Sequence, residues 1–252
     1  MVVMAKQKGI VPLTGTIGGI NFYYLNGKPV ARRAGGGFNG KAIKEKASMQ
    51  RVRENGSEFG HCSQVNKAFR RSLYPFYAGH TFTHFHSRLM TLFTKLKDLD
   101  AAHDRGKRRV ANGVATNSGK KLLQRFTYTP ACPLNKVLPF SYQYIATNHS
   151  LHIPGLDSSQ VHWVKGADLL SITLGVLVFD FETLAFSLFE SEPIWLTPET
   201  VKQDYSLSPT QAIHGTGVRI AFLGIRFYQL VNGERYVSHG NDAVGFGVVG
   251  IA

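Results

Sequence analysis

Apolar positions along this chain change their spacing once, near residue 126, from a helical period to an alternating one. Between Ser57 and Leu73, the residues Phe59, Cys62 or Ser63, Val65 or Asn66, Phe69 and Leu73 recur at the spacing of one helix face. Lys67, Arg70 and Arg71 fall on the opposite side. Pro75 closes that helix, because its ring carries no N–H for a further turn. A second helix is predicted from about Thr81 to Ala102, with Phe82, Phe85, Leu89, Leu92, Phe93, Leu96 and Leu99 on one stripe. The short link between the two predicts an antiparallel helical hairpin. Arg105 to Arg109 reads as a basic turn, and Ser118 as the N-cap of a last short helix ending at Arg125.

Beyond Phe126 the pattern predicts strands at residues 140–146, 159–163, 169–178, 184–190, 217–230, 235–239 and 243–251. Ile153-Pro154-Gly155 and the run 180–183 read as turns, and Asn232-Gly233 as a tight hairpin turn. Ile172, Leu174, Val176, Val178, Phe186, Leu188, Ile220, Phe222, Ile225 and Phe227 supply the expected core. Gly224, inside the longest strand, reads as a bulge or bend. Short strands with frequent turns predict a β-sandwich of immunoglobulin-like type.

The N-terminal stretch differs from both. Residues 9–40 hold nine glycines, at 9, 15, 18, 19, 27, 35, 36, 37 and 40. Among them, Asn21-Phe22-Tyr23-Tyr24-Leu25 meets Asn26-Gly27 and returns through Lys28-Pro29-Val30-Ala31-Arg32, the signature of a β-hairpin with a primed turn. Pro29 lacks an N–H, so its strand is the expected exposed edge, leaving Asn21–Leu25 to pair with a neighbour. Residues 41–53 are basic with few apolar positions and read as extended or transiently helical. The fold expected is therefore α+β in several parts: a basic glycine-rich arm at 1–56, a helical region at 57–125 and a β-sandwich domain at 126–252.

Charge sharpens this division. Of the net +13, residues 1–125 carry 23 Lys and Arg against 6 Asp and Glu, a net of +17, whereas residues 126–252 carry a net of −4. A surface that positive calls for an anionic neighbour, either protein or nucleic acid. Arg32, Arg33, Arg51, Arg53, Arg70, Arg71, Arg108 and Arg109 are the candidate phosphate contacts, and such contacts neutralise a backbone without reading bases. Phe22, Tyr23, Tyr24 and Phe38 are rings able to stack on unpaired bases, but a dense aromatic hairpin also pairs across strands and docks on protein. Phe22, Tyr23, Tyr24 and Leu25 are accordingly the candidate docking residues.

Motifs of catalysis are weak. Gly113 to Lys121 approaches a phosphate-binding loop, yet five residues rather than four separate its glycines, and Lys121 stands where a hydroxyl should hold magnesium. His80, His84 and His86 cluster at a helix start, but the glutamate of a zinc-protease helix is replaced by Thr81. Those imidazoles are expected to cap, stack or touch phosphate. No Gly-x-Ser-x-Gly elbow occurs, and Asp157, Asp168, Glu182 and Asp204 sit at predicted turns. Neither an enzyme nor a cofactor is expected. Cys62 and Cys132 lie far apart and read as two buried thiols. No signal peptide is expected, since Lys6 and Lys8 interrupt the apolar start, and no membrane span, since the most apolar run, Leu169–Phe181, is 13 residues long and holds Asp180. A protein kept in the cytoplasm, or in a particle assembled there, is the expectation.

The run from Gly15 to Arg33, Gly-Thr-Ile-Gly-Gly-Ile-Asn-Phe-Tyr-Tyr-Leu-Asn-Gly-Lys-Pro-Val-Ala-Arg-Arg, resembles the opening of a group of uncharacterised bacterial and phage-like structural proteins. Their glycine-led opening precedes a Ser/Arg-rich stretch, which Ser48, Arg51 and Arg53 match, then a helical segment and an all-β part. Gly19 departs from the asparagine of that pattern. The resemblance brings no catalytic residues. It implies a structural role in an assembly, with copies of itself or other subunits as partners and DNA or RNA as the rival.

Overall fold

A computed structural model of the chain describes residues 4–6, 13–34 and 40–252. The glycines at 9 and 35–37, and Phe38, lie outside the described residues. The chain divides into two compact units, Met1–Arg53 and Glu54–Ala252.

In the first unit, strands β1 (Met4–Lys6), β2 (Gly15–Ile17), β3 (Ile20–Leu25) and β4 (Lys28–Arg33) form an antiparallel sheet in the order β1-β4-β3-β2. The Asn26-Gly27 hairpin forms as read, with both turn residues at positive φ (51° and 75°) as a primed turn requires. Its edges differ from the expectation. Phe22, Asn21 and Ile20 pair with β2, and Val30, Ala31 and Arg32 with β1, so among the described residues Tyr24 and Leu25 of β3 and Lys28 and Pro29 of β4 have no outward strand partner. Residues 40–53 are helical rather than extended: α1 (Gly40–Glu45), a 3-10 turn at Ala47–Met49, and the start of α2 (Gln50–Ser72). Arg53 fastens this stretch by donating from Nη1 to the carbonyls of Ile43 (2.6 Å) and Lys46 (2.9 Å).

In the second unit, α2 continues into the short α3 (Tyr74–Tyr77), followed by α4 (Phe85–Asp98), α5 (Val110–Ala115), α6 (Asn117–Arg125) and α7 (Leu134–Val137). α2 and α4 run antiparallel, since Lys97 meets Glu58, Cys62 meets Phe93 and Asn66 meets His86. Cys62, Val65, Asn66, Phe69 and Leu73 are buried as read, and the stripe departs from the reading only at its start. Glu58 is 2% exposed and Phe59 is 61% exposed, because the face carrying Cys62, Val65, Asn66 and Phe69 continues through residue 58. The cap of α6 is Thr116, whose Oγ1 accepts from the N–H of Gly119, rather than Ser118.

The remaining strands are β5 (Gln143–Ile145), β6 (Ser150–Leu156), β7 (Leu169–Phe179), β8 (Phe186–Glu190), β9 (Ile194–Leu196), β10 (Gln203–Leu207), β11 (Val218–Val231), β12 (Glu234–Val237) and β13 (Val244–Ile251). β7 pairs along its full length with Val218–Tyr228 of β11, with β13 and β12 sharing the outer edge of β11, and β8 and β9 that of β7. β10-β6-β5 make a second antiparallel sheet. Four predicted features differ. Phe186, expected in the core, is 38% exposed. Residues 159–163 are a 3-10 turn and extended chain. β6 runs through Pro154-Gly155, because the pairing shifts register there, Gly155 takes positive φ, and its N–H is satisfied by Asp204 (2.7 Å). Gly224 is not the bulge: the register shift with β13 falls at Ala221/Phe222, and a Cβ at Gly224 would lie 2.3 Å from the Phe76 ring.

The larger sheet has two covered faces. Ile172, Leu174, Val176, Ala221, Leu223 and Ile225 meet Leu151, Ile153 and Leu207 of the smaller sheet. Leu177, Phe179, Ile220 and Phe222 of the alternate face, with Phe246 of β13, meet Phe69, Phe76, Phe85, Leu89 and Phe93 of the helices. The helical stripe and the strands beyond residue 126 thus bury one another, and the units divide at 53/54 rather than at 125/126. Apolar stripes of this width need cover, and each supplies the other's.

Candidate functional site

The first unit carries the docking residues read from sequence, and its sheet is amphipathic. Residues opposed in antiparallel strands share a face, so Ile17, Ile20, Phe22, Tyr24, Pro29 and Ala31 lie on one side with Arg33. Asn21, Tyr23, Leu25, Lys28, Val30 and Arg32 lie on the other. Ile17, Ile20, Tyr24 and Leu25 are 43–55% exposed, and Phe22 and Tyr23 half-buried. Among the described residues from 13 to 53, no side chain is fully buried. The guanidinium of Arg32 stands over the ring of Tyr23 at 5.4 Å, a cation–π contact that holds the positive charge against the aromatic edge of the hairpin.

The eight candidate phosphate contacts separate by environment. Arg32, Arg33, Arg51, Arg71 and Arg109 are exposed. Arg53 is spent on local carbonyls, and Arg70, half-buried, donates from Nε to Asn66 Oδ1 (3.1 Å). Arg108 is only partly exposed and is turned toward acidic side chains. It grips buried Glu58 with two hydrogen bonds of 2.8 Å and reaches Asp98 at 2.9 Å. Glu58 also accepts from Lys97 Nζ (2.5 Å) and the N–H of Gly106 (2.7 Å), so every lone pair that faces the interior has a donor. Arg108 above all, then Lys97, holds the Glu58 carboxyl down at about 2, against the opposing push of burial. Asp100 is a second buried carboxylate. It accepts from the N–H groups of Ala102 and Arg109, from Asn112 and from His103. Neither carboxylate was legible as buried from the sequence, because the groups that hold it down lie up to fifty residues away.

Gly113 and Gly119 explain the run that approaches a phosphate-binding loop. A Cβ on Gly113 would fall 1.8 Å from the carbonyl oxygen of Leu96, and one on Gly119 would fall 1.9 Å from that of Gly113. The glycines let α5 approach α4 and α6 approach α5.

His80, His84 and His86 come together with Arg70 around a cavity of about 420 Å³ that Tyr77 and Phe82 also line. Among the described residues, no three His, Cys, Asp or Glu side chains converge as a metal site would. His84 precedes α4 with φ 59° and gives it no side-chain cap. The order of hydrogen bonds fixes the orientation of the rest. Asn66 Oδ1 accepts from Arg70, so its Nδ2 is the donor to the carbonyl of His86 (3.0 Å) and to His86 Nδ1 (3.3 Å). His86 therefore carries its proton on Nε2 when neutral. His80 Nε2 is buried without a hydrogen-bond partner, and burial pushes that imidazole below its ordinary value. Both thiols are reduced and buried, and burial drives Cys62 up to about 11 and Cys132 up to about 12.

Among the described residues, no helix is long and apolar enough to cross a membrane. No protein-family model, curated protein or solved structure matches this chain.

Proposed function

We propose that this chain is a structural or scaffolding subunit of a large macromolecular assembly, docking through the sheet of its first unit. The observation that carries the reading is a sheet without a core: Ile17, Ile20, Phe22, Tyr24 and Pro29 share a face, yet no described side chain there is buried. Short strands of this kind gain stability only when an apolar face is covered. Residues 1–53 carry 10 Lys and Arg against a single acidic residue, Glu45, whereas residues 126–252 are net −4, so a further copy of the chain offers a surface of the right sign. The likeness of Gly15–Arg33 to bacterial and phage-like structural proteins points the same way. In this proposal the β part is an immunoglobulin-like sandwich elaborated by helices, its two sheets facing across Leu151, Ile153, Ile172 and Ile225.

The competing reading is non-specific contact with DNA or RNA phosphates. It rests on Arg32, Arg33, Arg71 and Arg109, which are exposed and make no ion pair among the described residues.

Light scattering after size exclusion, on the full chain at tens of micromolar, tests the first reading. The unaltered chain is expected above its monomer mass of 27.9 kDa, and the paired change Ile20→Glu and Tyr24→Glu is expected to return it toward that mass. Both positions are exposed, so the fold tolerates the exchange. A monomer in both cases ends the self-docking reading. Salt-dependent DNA binding, with a log–log slope of about 0.9 per phosphate neutralised, moves the weight to the competing one.

A further inference from the structure

We infer that the cavity between the end of α2 and the start of α4 is a binding site for a phosphate group. It belongs wholly to the second unit and is independent of the docking sheet. Arg70, His80, His84 and His86 line its roughly 420 Å³, and no carboxylate does. A space of that size and lining fits a mononucleotide or a free phosphate.

The site is built rather than incidental. Asn66, fully buried, accepts from Arg70 Nε and donates to His86 Nδ1, so one residue orients both groups. That arrangement leaves the terminal nitrogens of Arg70 and the Nε2–H of His86 as donors not used within the network, the pairing a phosphate oxygen takes up. Tyr77 Oη anchors the same turn by donating to the carbonyl of Arg70 (2.9 Å). The first turn of α4, a helix of 14 residues, holds no acidic side chain and receives no side-chain cap, so its dipole adds to the positive field. Phe82 and Tyr77 line the same space and offer a ring face to a base.

The test uses the full chain at low salt with three probes: inorganic phosphate, uridine 5′-monophosphate and a ten-nucleotide single-stranded DNA. Calorimetric titration is run beside long-range ¹H–¹⁵N spectra of the imidazoles in the unaltered protein. Phosphate is expected to move the Nε2 resonance of His86. Arg70→Gln is expected to weaken the tightest probe by at least about tenfold, the loss of a bidentate charge-assisted contact. Lys120→Gln with Lys121→Gln, on α6 and outside this cavity, is expected to leave that affinity unchanged. Tighter binding of the monophosphate than of phosphate assigns the site to nucleotides; tightest binding of the oligonucleotide assigns it to a strand; equal binding of all three assigns it to the free ion. Unmoved histidine resonances with all three probes overturn the inference whatever the variants do. Binding that survives Arg70→Gln in a folded protein, judged by circular dichroism, overturns it too.

Discussion

Glu58 offers the sharpest test of how the helical layer is held. Replacing it with Gln keeps the shape of the side chain but removes the charge that Arg108 and Lys97 face. A carboxyl held at about 2 in the fold, against its ordinary 4.5, contributes about 3 kcal/mol of stability at neutral pH, at about 1.4 kcal/mol for each pH unit between the two values. The substitution takes from Lys97, whose side chain is only 9% exposed, one of its two carboxylate partners and leaves it Asp98 at 2.7 Å, so the expected loss at pH 7 stays at about 3 kcal/mol. The sign follows from the lowered value. The contribution is complete above about pH 4.5 and drains away as pH falls toward about 2, so the deficit of Glu58→Gln should shrink over that window. Asp100 is lowered as well, despite burial, by the N–H of Arg109 and by Asn112, so both proteins lose stability in acid. Only the difference between them reports Glu58. Urea unfolding followed by circular dichroism at steps from pH 7 to pH 3 measures it. A deficit below about 1 kcal/mol at pH 7 would refute the reasoning, since a bridge worth so little is the solvated surface kind. A deficit that stays constant with pH would refute it equally.

Two further predictions concern packing. Gly113→Ala puts a methyl against the Leu96 carbonyl and should cost about 3 kcal/mol as α5 is forced off α4, whereas Gly60→Ala, on the open face of α2, should stabilise by about 0.5–1 kcal/mol; thermal unfolding of the two variants checks both signs, and equal shifts would show that α4 and α5 are not in register. Cys62 and Cys132, raised to about 11 and about 12 by burial, should resist a thiol-reactive probe at pH 8 in the native protein and react together on unfolding; fast reaction of either in the folded state would contradict their burial.

Local chemistry made some elements readable. Asn26-Gly27 and Asn232-Gly233 form their turns because few other pairs reach positive φ twice without strain. Residues 169–178 and 217–230 read as strands because apolar residues, many of them β-branched or aromatic, dominate both runs. The misreadings share a cause: a local signal was outweighed by a distant partner. Pro154-Gly155 looks like a turn, yet Asp204 of β10 satisfies the Gly155 N–H and the strand continues. Phe59 is the better apolar residue beside Glu58, but Arg108, fifty residues away, makes the acid the buried one. The candidate cavity was visible only as clustered histidines. That His86 is oriented through Asn66, and Arg70 with it, depends on side chains from α2 and α4 meeting.

By itself the sequence determined the change of period near residue 126, the two tight hairpins, the paired helices and the concentration of positive charge in the first 125 residues. These follow from spacing, steric freedom and charge counted along one chain. Only the tertiary structure decided that the helices and strands form one unit, because each apolar stripe is defined in sequence but its partner is not. It also decided what the glycines and acids are for. Gly175 and Gly224 seat Phe76, Gly113 and Gly119 bring three helices together, and Glu58 and Asp100 become buried staples. Such roles depend on contacts between residues tens of positions apart, and a missing Cβ or a desolvated charge has meaning only once the neighbour that needs it is in place.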